Sequence, residues 1–223
     1  MIPQSEYNRL ERMMEHERAL YKQGYARLAG VDEAGRGPLA GPVVAAACIL
    51  PKNALICGVD DSKKLTAVER SAIFAALIKL DGIDYAMGIV SSEIIDRINI
   101  LQATFEAMRI AIDGLKVPAD YLLVDGNQFI PKVAIPGKAI IKGDTSSQSI
   151  AAASILAKKT RDDLMQGYHK QWPEYGFSQH KGYPTRKHLE ALEHFGSCPI
   201  HRLSFAPLKF KLKHSCFLSK NFT

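Results

Sequence analysis

The sequence has no long apolar segment. Its longest uninterrupted apolar run, residues 43–50, is eight residues long and lies between two prolines. A helix that spans a bilayer needs about 20 apolar residues, so we expect no membrane partner. Charged residues recur from Glu6 onward and exclude the apolar core of a secretory signal. These absences predict a cytoplasmic protein.

Paired cysteines and zinc motifs are also absent. The four cysteines form no C-x-x-C pair, and the seven histidines form no H-E-x-x-H motif. We therefore expect free thiols in a reducing compartment and no zinc site. A chain of 223 residues, of which 47% are hydrophobic, can bury a core without disulfides or a structural metal.

The chain has fewer acidic residues than basic ones. Lys and Arg number 29 and Asp and Glu number 23, which gives a formal net charge of +6. The excess lies in residues 112–223, which hold 16 bases and 9 acids. This balance favours a polyanionic partner. Composition alone favours a solvated basic tail over a phosphate-binding face.

Hydrophobic periodicity predicts strands that alternate with helices. We expect helices over residues 5–24, 66–80, 99–115, 147–168 and 185–194, and strands over residues 27–33, 43–50, 83–90, 121–124 and 139–141. Thr66 and Glu69 form a capping-box pattern at the start of the second helix. The alternation predicts an α/β domain around a mixed sheet.

Acidic residues follow three of the predicted strands. Asp32 and Glu33 end the first strand, Asp125 ends the fourth, and Asp144 follows the fifth. Carboxylates gathered at one edge of a sheet repel one another unless a cation neutralises them, and hard oxygen ligands select Mg²⁺ or Mn²⁺. Two such ions can drive phosphodiester cleavage.

Two arguments weigh against that interpretation. A single aspartate at a strand end is usually a turn former or a helix cap. In addition, neighbours in a regular strand point to opposite faces, so Asp32 and Glu33 should not share a site. Either the glycines after them relax the alternation, or one of the two acts through its backbone carbonyl.

Three further segments could contact a nucleic acid. The turn Gly35-Arg36-Gly37 exposes backbone N–H groups beside a cation, which suits a phosphate or a sugar edge. Lys63 and Lys64 precede a predicted helix N-terminus, where phosphates bind. Taken alone, the first segment is more often just a tight turn, and the second fits a solvated loop as well as a phosphate contact.

Residues 175–185 form the third segment, which is aromatic and basic. Tyr183 lies between a glycine and a proline, so little local bulk hides its ring. Aromatic rings among cations suit stacking on a base or a sugar. The alternative is a core aromatic residue that anchors the loop.

Taken in order, these segments resemble bacterial ribonuclease HII. The resemblance is carried by residues 30–42, 61–65, 99–104, 125–127, 142–144, 151–158, 160–162, 180–185 and 201–205. It covers about residues 27–207. It implies a ribonuclease H-like fold, with a central mixed five-stranded sheet flanked by helices and a C-terminal helical region.

The resemblance also implies an activity and the residues that carry it. The expected enzyme is a Mn²⁺- or Mg²⁺-dependent endonuclease that cuts RNA paired with DNA, including on the 5′ side of single ribonucleotides in duplex DNA, and leaves a 5′-phosphate and a 3′-hydroxyl. The implied metal-site carboxylates are Asp32, Glu33, Asp125 and Asp144. The implied contacts to the ribose 2′-OH are Gly35, Arg36 and Gly37. Tyr183 is the implied ring that stacks on the adjoining deoxyribose, and the implied backbone contacts are Lys63, Lys64, Ser154 and Lys158.

The same resemblance suggests an organisation into three parts. Residues 1–28 form an N-terminal helical extension, residues 29–207 the catalytic domain, and residues 208–223 a basic tail. The extension is too short for the N-terminal substrate-binding domain of the related ribonuclease HIII. We expect a monomer whose task is primer removal or ribonucleotide excision repair. Two alternatives remain: a nuclease of the same fold that acts on DNA alone, and a binding module whose acids only cap turns.

Overall fold

The computed structural model describes residues 2–60, 62 and 65–209. The strands are β1 (Leu28–Ala34), β2 (Val43–Ile49), β3 (Asp84–Val90), β4 (Tyr121–Asp125) and β5 (Gly137–Ile140). The helices are α1 (Gln4–Met13), α2 (Glu15–Lys22), α3 (Ala67–Leu77), α4 (Ser92–Ile98), α5 (Ile100–Asp113), α6 (Gln148–Gln171), α7 (Phe177–His180) and α8 (Arg186–Phe195). In this part of the chain, none of the helices combines the length and apolarity that a membrane span requires.

The strands form one mixed sheet in the order β3-β2-β1-β4-β5. β1 is antiparallel to β2 and parallel to β4, and β4 is parallel to β5. The expected α/β fold with a five-stranded mixed sheet is therefore confirmed. Since β1, β4 and β5 run in the same direction, their carboxyl ends meet at one edge of the sheet.

Small residues let helices approach both faces of this sheet closely. A Cβ atom on Gly88 of β3 would lie 1.9 Å from the carbonyl oxygen of Ala107 in α5. On the other face, a Cβ atom on Gly30 of β1 would lie 2.0 Å from the carbonyl carbon of Ser149 in α6. Both glycines are required because any side chain would push a helix off the sheet.

The N-terminal helices are attached to the start of α6 by a buried carboxylate. Glu17 Oε1 accepts hydrogen bonds from Ser147 Oγ at 2.6 Å and from the Ser149 N–H and Oγ at 3.1 and 2.8 Å. These donors lie at a helix N-terminus, where the backbone favours negative charge. The extension is thereby fixed to the segment that follows Asp144.

The predicted helices differ from the structure within residues 5–24, at α4 and at α7, which no predicted helix covers. The helix expected over residues 5–24 is broken at Met14, whose φ of −96° and ψ of 3° interrupt the helical backbone between α1 and α2. Helix α4 was not predicted, because it is short and continues almost directly into α5. Asn99, with φ of 68°, separates the two helices and caps α5 through a bond to the Gln102 N–H.

A further, smaller core lies at the C-terminal end of α6, apart from the cores on the two faces of the sheet. There Met165 packs with Tyr175 and Phe177, together with Leu192 of α8. An isolated bridge between Ala40 and His201 ties this region to the loop after β1. Most of the predicted basic tail, residues 210–223, lies outside the described residues.

Candidate active site

The alternation of side chains along β1 places Asp32 and Glu33 on opposite faces of the sheet. Val31 belongs to the core on the α5 side, whereas Ala34 belongs to the core on the α6 side. Asp32 therefore faces α6 and Glu33 faces α5. The same parity holds in β4, where Val124 packs on the α5 side, so Asp125 faces α6 beside Asp32.

Three of the four predicted carboxylates come together at this edge. Asp32, Asp125 and Asp144 each offer one carboxylate oxygen, and these oxygens all lie within 4.8 Å of one another. Asp32 and Asp144 are both 4% exposed. Such a group of buried oxygen ligands fits Mg²⁺ or Mn²⁺.

The loop that carries Asp144 is held by Asp125. Asp125 Oδ1 accepts the N–H of Gly143 at 2.7 Å and the N–H of Asp144 at 3.4 Å. Lys142 begins this loop in the left-handed region, with φ of 55°. A Cβ atom on Gly143 would lie 2.5 Å from Ile150 Cδ1, so a larger residue between Asp125 and α6 would displace Ile150.

The environment of Asp32 disfavours its ionised form. Burial, followed by the charges of Glu33 and Asp125, raises the pKa of Asp32 well above its ordinary value. Hydrogen bonds from Ser154 and from the Glu33 N–H, which is 2.7 Å from Asp32 Oδ1, oppose this shift. A bound divalent cation would stabilise the ionised carboxylates together.

Glu33 stands apart from the three-aspartate group. Its Oε1 lies 3.3 Å from Arg36 Nη1. It borders the cleft that Asp32 lines, and also a neighbouring one lined by Thr104 and Asp125. The carboxylate of Glu33 therefore reaches the rim of the site from the α5 side of the sheet.

One cleft joins the carboxylates to most of the other predicted contacts. It is lined by Asp32, Glu33, Gly35, Arg36, Gly37, Asp125, Ser154, Lys158 and Tyr183, together with Ala34, Ser62 and Arg161. The predicted contacts Lys63 and Lys64 lie outside the described residues.

Within the cleft, Ser154 and Lys158 occupy one face of α6. Ser154 Oγ is 2.9 Å from Ser62 Oγ, and Lys158 Nζ is paired with Asp162. Burial lowers the pKa of Lys158, against the opposing effect of Asp162. These groups put a hydroxyl and a cation beside the carboxylates.

Tyr183 also lines this cleft and is 44% exposed. Its backbone is fixed, because Gly182 with φ of 85° packs against Ala40 and the Tyr183 carbonyl lies 2.9 Å from His188 Nδ1. A Cβ atom on Gly37 would lie 3.6 Å from Tyr183 Cε1, so ring and turn are neighbours. An exposed ring on a rigid loop can stack on a sugar or a base.

Two buried arginines beneath the turn were not predicted as site residues. Arg161 and Arg202 are 1% and 0% exposed. Pattern reasoning assigns charged side chains to the surface, so no periodicity in the sequence distinguishes them. The signal that could have found them is their position in two of the resembling segments, 160–162 and 201–205.

The fold and the carboxylate cluster together define a ribonuclease H. The structure is similar to that of the ribonuclease H2 from Pyrococcus horikoshii OT3, with a TM-score of 0.70 and 29% sequence identity, over 88% of this chain and 100% of that one.

Sequence comparison narrows the class to one family. The ribonuclease HII family profile matches residues 29–208. The chain is 57% identical over 188 residues to the ribonuclease HII of Chlamydia trachomatis serovar A, covering 84% of this chain and 86% of that one. It is 52% identical over 205 residues to that of Chlamydia pneumoniae, covering 92% and 95%. The chain belongs to the ribonuclease HII family, which confirms the resemblance.

Proposed function

We propose that this enzyme hydrolyses the RNA strand of RNA–DNA hybrids and cuts on the 5′ side of single ribonucleotides embedded in duplex DNA. The products are a 5′-phosphate and a 3′-hydroxyl. The observation that carries the proposal is the single cleft in which two of the clustered aspartates, Asp32 and Asp125, lie beside the Gly35-Arg36-Gly37 turn. The aspartates can hold a metal, and the turn can contact a sugar.

The residues present fit a divalent cation. The three aspartate oxygens lie within 4.8 Å of one another. Burial, followed by the charges of Glu33 and Asp125, raises the pKa of Asp32, and a bound cation would favour its ionised form. Asp32, Asp125 and Asp144 would hold Mn²⁺ or Mg²⁺, with Glu33 contributing from the rim. When bound, such an ion supplies an activated water and stabilises the leaving oxygen.

Recognition of the ribose rests on the turn. The 2′-OH is the group that distinguishes RNA from DNA, and backbone amides can contact it without reading the base. Tyr183 stacks on the adjoining deoxyribose, and Lys158 and Ser154 contact the phosphate backbone with Lys63 and Lys64. Phosphate contacts position a duplex without reading its sequence.

The proposal also covers the organisation of the chain. Residues 1–28 act as the helical extension, residues 29–207 as the catalytic domain and residues 208–223 as the basic tail. The enzyme works as a cytoplasmic monomer.

Cleavage of three matched duplexes tests the proposal. The first has one ribonucleotide within DNA, the second is an RNA–DNA hybrid, and the third is all DNA. We expect metal-dependent cleavage of the first two, with the embedded-ribonucleotide product carrying a 5′-phosphate. Equal cleavage of the all-DNA duplex would favour a general DNA nuclease. Tight binding without cleavage would favour a binding module.

A further inference from the structure

Arg202 is a fully buried cation directly beneath the Gly35-Arg36-Gly37 turn. Its Nη2 donates to the Gly35 carbonyl at 2.6 Å and its Nη1 donates to the Arg36 carbonyl at 2.9 Å. Its Nε donates to the Gly41 carbonyl at 2.9 Å. One rigid guanidinium therefore holds both carbonyls inside the turn and a third at the far end of the loop.

These bonds fix the direction of two backbone N–H groups. Both peptide bonds of the turn are trans, since the described part of the chain has one cis bond, Ala206-Pro207. In a trans peptide the carbonyl and the following N–H point in opposite directions. The N–H groups of Arg36 and Gly37 therefore point away from Arg202. Within the described residues, neither has an acceptor in the protein.

The direction away from Arg202 is toward the cleft. The turn lines the cleft beside Asp32, whereas Arg202 is 0% exposed behind it. The two N–H groups thus form a pair of adjacent donors facing the cleft. A sugar hydroxyl has an oxygen that accepts such bonds, and a deoxyribose carries no such group at that position.

Arg202 is held in place independently of any substrate. Its own N–H donates to the Leu39 carbonyl at 2.8 Å, and the neighbouring His201 forms the bridge to Ala40. Burial lowers the pKa of Arg202 to about 9, so it stays charged at neutral pH. In the described residues it is in no salt bridge, so its donors serve backbone carbonyls.

Arg161 supports the same loop from the side of α6. It donates to the Pro42 carbonyl at 3.0 Å and to the Ala40 carbonyl at 3.1 Å. A Cβ atom on Gly35 would lie 2.0 Å from Arg161 Nε, so turn and guanidinium are in direct contact. The loop therefore rests on two buried guanidiniums, of which Arg202 bonds to the turn itself.

We propose that Arg202 is a positioning residue that determines sugar specificity, because it aims the Arg36 and Gly37 N–H groups at the 2′-OH. The inference rests on the proposed function, since it assumes that the turn contacts a ribose. Lysine retains the charge but cannot donate along three fixed directions. Arg202→Lys should therefore leave the turn free to rotate its peptides.

The test measures sugar selectivity in the full-length protein. KM is measured with the single-ribonucleotide duplex, and the matched all-DNA duplex is added as a competitor to give its inhibition constant. The selectivity is the ratio of that constant to KM. We expect Arg202→Lys to lower this ratio at least tenfold and to leave the inhibition constant of all-DNA duplex within twofold. A ratio equal to that of the wild type would overturn the proposal.

Arg27→Lys is the matched control, since Arg27 Nε also donates to a loop carbonyl, that of Pro118, at 2.6 Å. Arg27 lies at the opposite end of β1 from Asp32, so the sugar selectivity of Arg27→Lys should equal that of the wild type. If the wild type does not cleave the single-ribonucleotide duplex, the proposed function fails. If the wild type cleaves it and Arg202→Lys has the same selectivity ratio as the wild type, only the inference about Arg202 fails.

A second measurement needs no variant and holds even if Arg202→Lys does not fold. Amide hydrogen exchange at Arg36 and Gly37 is followed in the wild-type protein. Both amides should exchange rapidly in the free enzyme and slow at least tenfold with the ribonucleotide duplex, but not with all-DNA duplex. Equal protection by both duplexes, or none by either, would contradict the role assigned to the turn and to Arg202.

Discussion

The Gly143 N–H donates to Asp125 Oδ1 across 2.7 Å. The aspartate ends β4, and the glycine immediately precedes Asp144. Through this bond, the Asp125 carboxylate supports the loop that carries Asp144. The geometry of the cluster therefore depends on a backbone contact as well as on the acids.

Asp125→Asn should retain the fold and lose nearly all activity. The amide oxygen can still accept the Gly143 N–H, but the variant lacks the charge with which Asp125 would hold the metal. Loss of several kcal/mol of transition-state stabilisation corresponds to about a thousandfold in kcat. Steady-state cleavage and circular dichroism check this. Asp113→Asn is the control, because Asp113 is an exposed acid at the end of α5. Wild-type turnover in Asp125→Asn would show that Asp125 is not part of the site.

Gly143→Ala should damage the site through sterics alone. The added Cβ would meet Ile150 Cδ1 at 2.5 Å and Asp125 Oδ1 at 3.3 Å. We expect weaker Mn²⁺ binding by titration calorimetry and at least a tenfold loss of kcat. Gly167→Ala is the control, since its Cβ meets nothing within 4 Å in α6, and it should gain about 0.4–1 kcal/mol of stability. Unchanged metal binding in Gly143→Ala would show that the loop adapts.

Tyr183→Ala should impair cleavage of the single-ribonucleotide duplex and leave Mn²⁺ binding intact. The lost stacking is worth about 1–3 kcal/mol, or roughly 5- to 150-fold in kcat/KM. The bond to His188 uses the Tyr183 carbonyl, so the loop keeps its support. Tyr7→Ala, with 41% exposure against 44% for Tyr183, is the control. If Tyr183→Ala cleaves the single-ribonucleotide duplex at the wild-type rate, Tyr183 only anchors its loop.

Acid should destabilise the C-terminal core through His201. Its Nε2 lies 3.0 Å from His188 Nε2 and its Nδ1 accepts the Cys198 N–H at 2.9 Å, so both rings must be neutral. Burial, with His188, lowers the pKa of His201 to about 4. The unfolded chain, with a pKa of about 6.5, then binds more protons between pH 6.5 and 4, and stability falls as pH falls through this window.

The free energy of unfolding should be about 3 kcal/mol lower at pH 4 than at pH 7 because of His201. Urea unfolding at the two pH values measures this difference. His201→Gln should lose stability at pH 7 but show a smaller pH dependence than the wild type. His194→Gln, at an exposed histidine, should keep the wild-type dependence. An equal dependence in all three proteins would assign the acid sensitivity to other groups.

The sheet and the first two aspartates were predictable from the sequence because both follow from strand periodicity. β1 and β4 are apolar runs that end in Asp, and the parity of their neighbours places Asp32 and Asp125 on one face. The same parity places Glu33 on the α5 side of the sheet, although the resemblance implied it as a fourth metal-site carboxylate. Local rules also located the capping box of α3, which Thr66 and Glu69 complete.

The remaining parts of the site depend on tertiary contacts that no local pattern encodes. The position of Asp144 requires a left-handed Lys142 and the bond from Gly143 to Asp125. Arg161 and Arg202 contradict the expectation that charges lie outside, and their partners are carbonyls more than 100 residues away. Such contacts form only when the folded chain brings distant residues together.

The most direct test of the account is cleavage of a duplex that carries one ribonucleotide, with Mn²⁺, with Mg²⁺ and with neither. We expect a single cut on the 5′ side of the ribonucleotide with metal, a 5′-phosphate on the product, no cut without metal, and no cut of the matched all-DNA duplex. Failure to cut in either metal, or equal cutting of all-DNA duplex, would contradict it.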